Sequence, residues 1–306
     1  MMRLDDLDPR GNINDQGRGG GGFGGFRGGG GGGMGGLLIG LLPMLLGRKM
    51  GCGTIALLGL GALAFMYFSG GSLNLGGTGM TPANNAQQSS AGNVACDTDA
   101  ELFACRVFTS TEQTWQQIFA DGGAKYTPAK LEFYQGGGQS GCGAAQSAMG
   151  PFYCPADNGI YLDTSFFAQM ESQMKAGGDF AYAYVIAHEM GHHIQNLTGI
   201  AGKVRGAQQR ASKEEGNQLQ VRMELQADCY AGIWANRNRN RLEAGDIEEG
   251  MRAANAIGDD TLMRQAGRNP VESMFTHGSS QQRMAALKRG LDSGDPQQCD
   301  YFRGVL

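Results

Sequence analysis

Two apolar runs interrupt an otherwise mixed chain. Residues 37–46 read LLIGLLPMLL and residues 50–71 read MGCGTIALLGLGALAFMYFSGG, with only GRK between them. The first is about half the roughly 20 residues that cross a bilayer and contains Pro43. The second carries no charge, has the right length and shows no polar face, so the pattern predicts a membrane anchor over 37–70 with a single transmembrane helix at about 50–70. A buried core helix or a cleaved signal peptide are the alternatives. The span starts near residue 50 without a clean small-x-small site after it, which disfavours a signal peptide. Residues 71–93 carry no charge and no apolar period, as in a flexible linker.

From residue 94 the pattern is that of a folded domain. Residues 97–121 show a helical period. Residues 129–163 hold short runs, KLEFYQ and GIYLD, between Gly and Pro turns, as strands do. Long helical patterns dominate beyond 164. The expected class is α+β, mainly helical with a small sheet, preceded by one transmembrane helix.

Composition changes this picture mainly at the N-terminus. Of the 306 residues 53 are Gly, concentrated in 17–36, and residues 1–36 are therefore expected to be a disordered tail. Two Arg and two Phe in that segment suggest an RNA-binding arm only weakly, since two cations neutralise few phosphates; nucleic acid is not an expected partner. The net charge of -4 adds no attraction to it. Basic residues cluster before the span (Arg3, Arg10, Arg18, Arg27, Arg48, Lys49) and are absent after it until Arg106, which predicts a cytoplasmic tail and an extracytoplasmic domain in a bacterial inner membrane. In such a compartment the six cysteines after residue 90 can pair. The local choices are Cys96 with Cys105 and Cys142 with Cys154, leaving Cys229 for Cys299, among 15 possible connectivities.

The chemistry concentrates in AYVIAHEMGHHIQ, residues 183–195. His188 and His192 are four apart, so on a helix both imidazoles share one face at a spacing that suits a single Zn2+. Glu189 is turned about 100° from His188 and can reach a water rather than the ion, as a general base does. Asp179 offers an N-cap and Gly199 an end for a helix of about 180–197. Gly191 in its middle is expected to leave room beside the metal. His193 points about 100° away from His192 and reads as a bystander. Downstream, Glu224 and Asp228 are again four apart on a predicted helix: Glu224 would complete the ligand set, and Asp228 would fix the tautomer of His188. A solvated acidic face is the plain alternative.

Together these motifs resemble the gluzincin metallopeptidases, HExxH followed by ExxxD. With GPFYCPADNGIYLD, AANAIGDD and FTHGSSQQR they are similar to the bacterial neutral zinc metallopeptidases of the YpfJ type, over roughly residues 94–303. The resemblance implies a zincin-like fold, Zn2+ on His188, His192 and Glu224, Glu189 as catalytic base, and a protein or peptide substrate. It does not supply the substrate's identity or the oligomeric state. His277 could donate to the oxyanion or be a buried structural histidine; Ser279 or Ser280 could cap the following helix. Residues 151–163 resemble the strand along which zincins align an extended substrate. The rival reading is a membrane-tethered zinc-binding assembly protein without turnover, against which an intact Glu189 speaks.

Overall fold

The computed structural model describes residues 2–9, 11–18 and 95–306. Those residues form one unit. The expected membrane anchor, 37–70, and the whole linker, 71–93, fall outside them; among the described residues no helix is long and apolar enough to cross a membrane.

The first strand, β1 (Asn12–Arg18), lies where a disordered tail was expected. Helix α1 (Asp99–Asp121) follows, with Thr98 capping the Glu101 amide. The sheet comes next: β2 (Lys130–Gln135), β3 (Gly137–Ser140), β4 (Gly143–Gln146), β5 (Phe152–Cys154) and β6 (Gly159–Leu162). It runs in the order β4-β3-β2-β6-β5, with β1 paired to β2. In β2, Leu131 and Phe133 alternate onto the core face. Hairpin β5–β6 is antiparallel, Tyr153 opposite Ile160, which leaves β5 as an edge strand with no further partner among the described residues.

Helices then dominate: α2 (Ser165–Ser172), α3 (Asp179–Leu197), α4 (Ile200–Gln208), α5 (Lys213–Arg237), α6 (Asp246–Ala256), α7 (Asp259–Gln265) and α8 (Ser280–Ser293). Asp179 proves to be the first residue of α3, with Gly178 as N-cap at φ 129°. Helix α5 begins with a capping box, Ser212 with Glu215, and α8 with another, Ser279 with Gln282. The main core gathers Trp115, Phe180, Tyr184, Ile186 and Trp234, and the sheet contributes Leu131, Ile160 and Leu162. The disulfides are Cys96–Cys105, Cys142–Cys154 and Cys229–Cys299, the expected pairings.

Glycines set how closely the site-bearing helices approach. A Cβ on Gly191 would lie 2.9 Å from the Ala227 Cα and 3.1 Å from its Cβ. The room Gly191 leaves is therefore for α5, not for the metal as the sequence suggested. On the far side of α5, a Cβ on Gly232 would strike the Leu287 carbonyl, and one on Gly290 the Cys229 carbonyl, so α8 also packs backbone to backbone. The result is a three-helix layer, α3–α5–α8, in which α5 is in the middle.

Candidate active site

That close packing brings together side chains far apart in sequence. His188 Nε2 lies 3.1 Å from Glu224 Oε2, and His192 Nε2 lies 3.6 Å from the same oxygen. All three donor atoms lie within 4.8 Å of one another. Atoms about 2 Å from a shared tetrahedral Zn2+ would be roughly 3.3 Å apart, and the 3.1 and 3.6 Å separations bracket that spacing. Two imidazoles and one carboxylate are a donor set that zinc accepts, with a fourth position left for water. The residues fit the ion.

Each of these ligand candidates is held from behind. His188 Nδ1 meets Asp228 Oδ1 at 2.7 Å, so Nδ1 donates to that carboxylate and Nε2 is the nitrogen turned toward Glu224, where an ion would be held. Asp228, fully buried, also accepts from Tyr184 Oη at 2.6 Å and from Arg283 Nε and Nη2 at 2.9 and 2.8 Å. Burial alone would raise its pKa; Arg283 and His188 instead hold it down at about 2. His192 donates from Nδ1 to Gln195 Oε1 at 2.8 Å, and Gln195 is itself fixed by the Met223 carbonyl at 2.7 Å. Gln220 donates to Glu224 Oε1 at 2.8 Å. Gln195 and Gln220 were not recognised in the sequence. Their offsets, three after His192 and four before Glu224, are helical neighbours and were the available signal.

Glu189 is buried on the cleft side of α3, and burial, only partly offset by the two histidines, raises its pKa above the ordinary glutamate value. That shift suits a group that must accept a proton and release it again. The cleft, 530 Å3, contains Glu189, the three ligand candidates and His277, with Phe152 and Tyr153 of β5 along one side.

His277 comes from the loop before α8. Asp259, the first residue of α7, accepts the backbone amides of Thr276, His277 and Gly278 at 2.7, 2.6 and 3.1 Å, and lies 3.3 Å from His277 Nδ1. Burial lowers the pKa of this histidine, but the carboxylates of Asp259 and Glu224 outweigh that and raise it. Its side chain is half exposed, so it is no buried structural histidine. Asp259 also escaped the sequence reading, although it lies within the quoted AANAIGDD.

His193 is not a ligand, but it is not idle. Its Nε2–H donates to the Thr127 carbonyl at 2.8 Å, so Nδ1 accepts from Tyr153 Oη at 3.0 Å. Burial holds it below the usual histidine range, hence neutral. Asn196 adds a bond to the same phenol at 3.0 Å. Together they tie edge strand β5 to the helix that carries His188 and His192.

Comparison with known proteins identifies the family of the chain. The family model described as "Putative neutral zinc metallopeptidase" matches residues 2–302, so the match begins before β1 rather than near residue 94. The YpfJ protein of Escherichia coli strain K12 is 50% identical over 226 residues, 73% of this chain and 79% of that one. The Rv2575 protein of Mycobacterium tuberculosis strain H37Rv is 39% identical over 221 residues, 67% of this chain and 72% of its own. No solved structure gives a significant match.

Proposed function

Because the chain belongs to the neutral zinc metallopeptidase family, whose metal is zinc, we propose that it is an endopeptidase using His188, His192 and Glu224 as zinc ligands and Glu189 as general base. The observation that carries this reading is the convergence of three donor atoms beside a buried carboxylate on the wall of one cleft. Zinc held by His188, His192 and Glu224 would supply Lewis-acid chemistry, polarising the scissile carbonyl and making water a better nucleophile. Glu189 takes a proton from the attacking water and passes it to the leaving amine. His277, held by Asp259, donates toward the oxygen that gains charge during attack. The free edge of β5 supports an extended peptide bound through its backbone, which favours cleavage within a chain over trimming of an end.

The uncharged run 50–71 supports membrane association as a further part of the proposal. The rival, a zinc-holding assembly protein, would not require Glu189 at the open side of the site. A Glu189→Gln protein should fold and bind one zinc per chain yet lose cleavage of an unbiased peptide library with blocked termini. Undiminished cleavage by that variant would refute the base assignment, and an inactive parent would favour the rival.

A further inference from the structure

Residues 2–9 and 11–18 precede both apolar runs in sequence, yet among the described residues they pack on and hydrogen-bond to the peptidase domain. Met2, Leu4 and Leu7 are 3%, 2% and 7% exposed and join the main core with Trp115 and Phe180. The Met2 amide donates to the carboxylate of Asp179, at the start of the helix that carries His188 and His192. The Arg3 amide donates to the Arg241 carbonyl at 2.9 Å, and Arg241 answers with Nη1 on the Arg3 carbonyl at 3.1 Å and Nη2 on Asp6 at 3.0 Å. Arg106 holds Asp5 at 2.7 Å. Strand β1 then lies parallel to β2, Asn12 opposite Lys130 through Asp15 opposite Phe133. Asn14 donates to Glu132 at 2.8 Å, and Gln16 exchanges two hydrogen bonds with the Gln139 backbone, at 2.9 and 2.8 Å.

The exposed ion pairs add little to this attachment. Its strength lies in three buried aliphatic side chains and a backbone ladder, neither of which works across a bilayer. A single crossing between residues 18 and 95 would separate β1 from β2 by the full membrane thickness.

We propose that residues 2–9 and 11–18 are an integral part of the peptidase domain and lie on the same side of the membrane as its active site. For these residues the proposal replaces the disordered cytoplasmic tail expected over 1–36; residues 19–36 of that expectation lie outside the described residues. The charge count looked only at the flanks of one apolar run. It could not register that the segment before the run hydrogen-bonds to the domain after it. The three disulfides indicate that the shared side is an oxidising one.

The test uses the full chain in a Cys52→Ser background. Asn14→Cys is paired with Glu132→Cys, a protease site is inserted within residues 19–36, and cells are treated with a mild oxidant. After cleavage the two fragments should stay joined until reductant is added, whereas Asn14→Cys with the exposed Lys203→Cys should give separate fragments. Sidedness is read on single variants, Asp8→Cys and Lys125→Cys, both at exposed positions, with a membrane-impermeant maleimide on spheroplasts. Equal labelling of the two, both before lysis or both only after it, supports the shared side. Labelling of Lys125→Cys in intact spheroplasts with Asp8→Cys reached only after lysis would overturn it, as would fragments that separate without reductant.

Discussion

The two walls of the cleft are built on different terms. On one, His188, Glu224, Asp228 and Arg283 come from three helices and are 6%, 6%, 0% and 3% exposed, with each side chain fixed by named partners. On the other, His277 stands on a loop with its side chain 51% exposed, its Nδ1 beside the Asp259 carboxylate at 3.3 Å and the Thr276 hydroxyl at 3.2 Å. An ion held at about 2 Å tolerates little ligand movement, so the first wall is packed until no rotamer is free. Under the proposed function, a donor that answers charge developing on a substrate needs access, which the exposed second wall would provide.

The comparison breaks most readily at the buried wall. Glu224→Ala should remove bound zinc and with it all peptidase activity, as metal analysis and a peptide assay would show; a zinc-replete variant would mean that another residue completes the ligand set. Asp228→Asn comes next. It leaves the Arg283 cation buried without its counter-charge, which costs about 3–5 kcal/mol, and weakens zinc binding by roughly 10–100-fold. Thermal melts and competition with a chelator would measure the two effects separately.

The exposed wall should respond in rate alone. His277→Ala is expected to lower kcat by about 100–1000-fold, the scale of losing one oxyanion donor, with zinc content and melting temperature unchanged. A matching loss of zinc would place His277 on the other side of the comparison. Gly191→Ala should show the reverse pattern, destabilising by about 1–3 kcal/mol because the new methyl meets the Ala227 backbone, and disturbing zinc binding through the shifted α5.

The smallest effect concerns pH. The folded-state pKa of His277 is raised, so its pairing with Asp259 is complete below the ordinary histidine value and is lost as pH rises through the raised one. Activity that needs the cationic donor should fall along an alkaline limb, and Asp259→Asn should move that limb to lower pH. An unmoved limb would assign it to another group.

Part of this site could be read from the sequence because it is local. Four-residue spacing on a helix decided that His188 and His192 share a face, and likewise Glu224 and Asp228. One cap was as local: Ser279 accepts from the Gln282 amide three residues on, whereas the cap expected at Asp179 falls on Gly178, one residue earlier. Cysteine spacing sufficed for the disulfides, where two short loops left one remaining pair. What escaped was the supporting layer. Gln195, Gln220 and Asp259 are common polar residues whose meaning appears only once a ligand candidate or His277 is seen beside them. Gly191 was noticed but misassigned, since only the neighbouring helix reveals what its missing side chain makes room for.

The sequence by itself determined the chemistry on offer: a candidate ligand pair, a candidate base, a third ligand candidate and the zinc they suit, all set by helical period and donor type. Tertiary structure alone decided which residues make one domain. Strand β1 finds its partner more than a hundred residues away, and Met2, Leu4 and Leu7 find theirs in the core. Neither match is encoded in any short window, because apolar burial is non-directional and a strand's partner is chosen by the whole fold rather than by its neighbours in the chain.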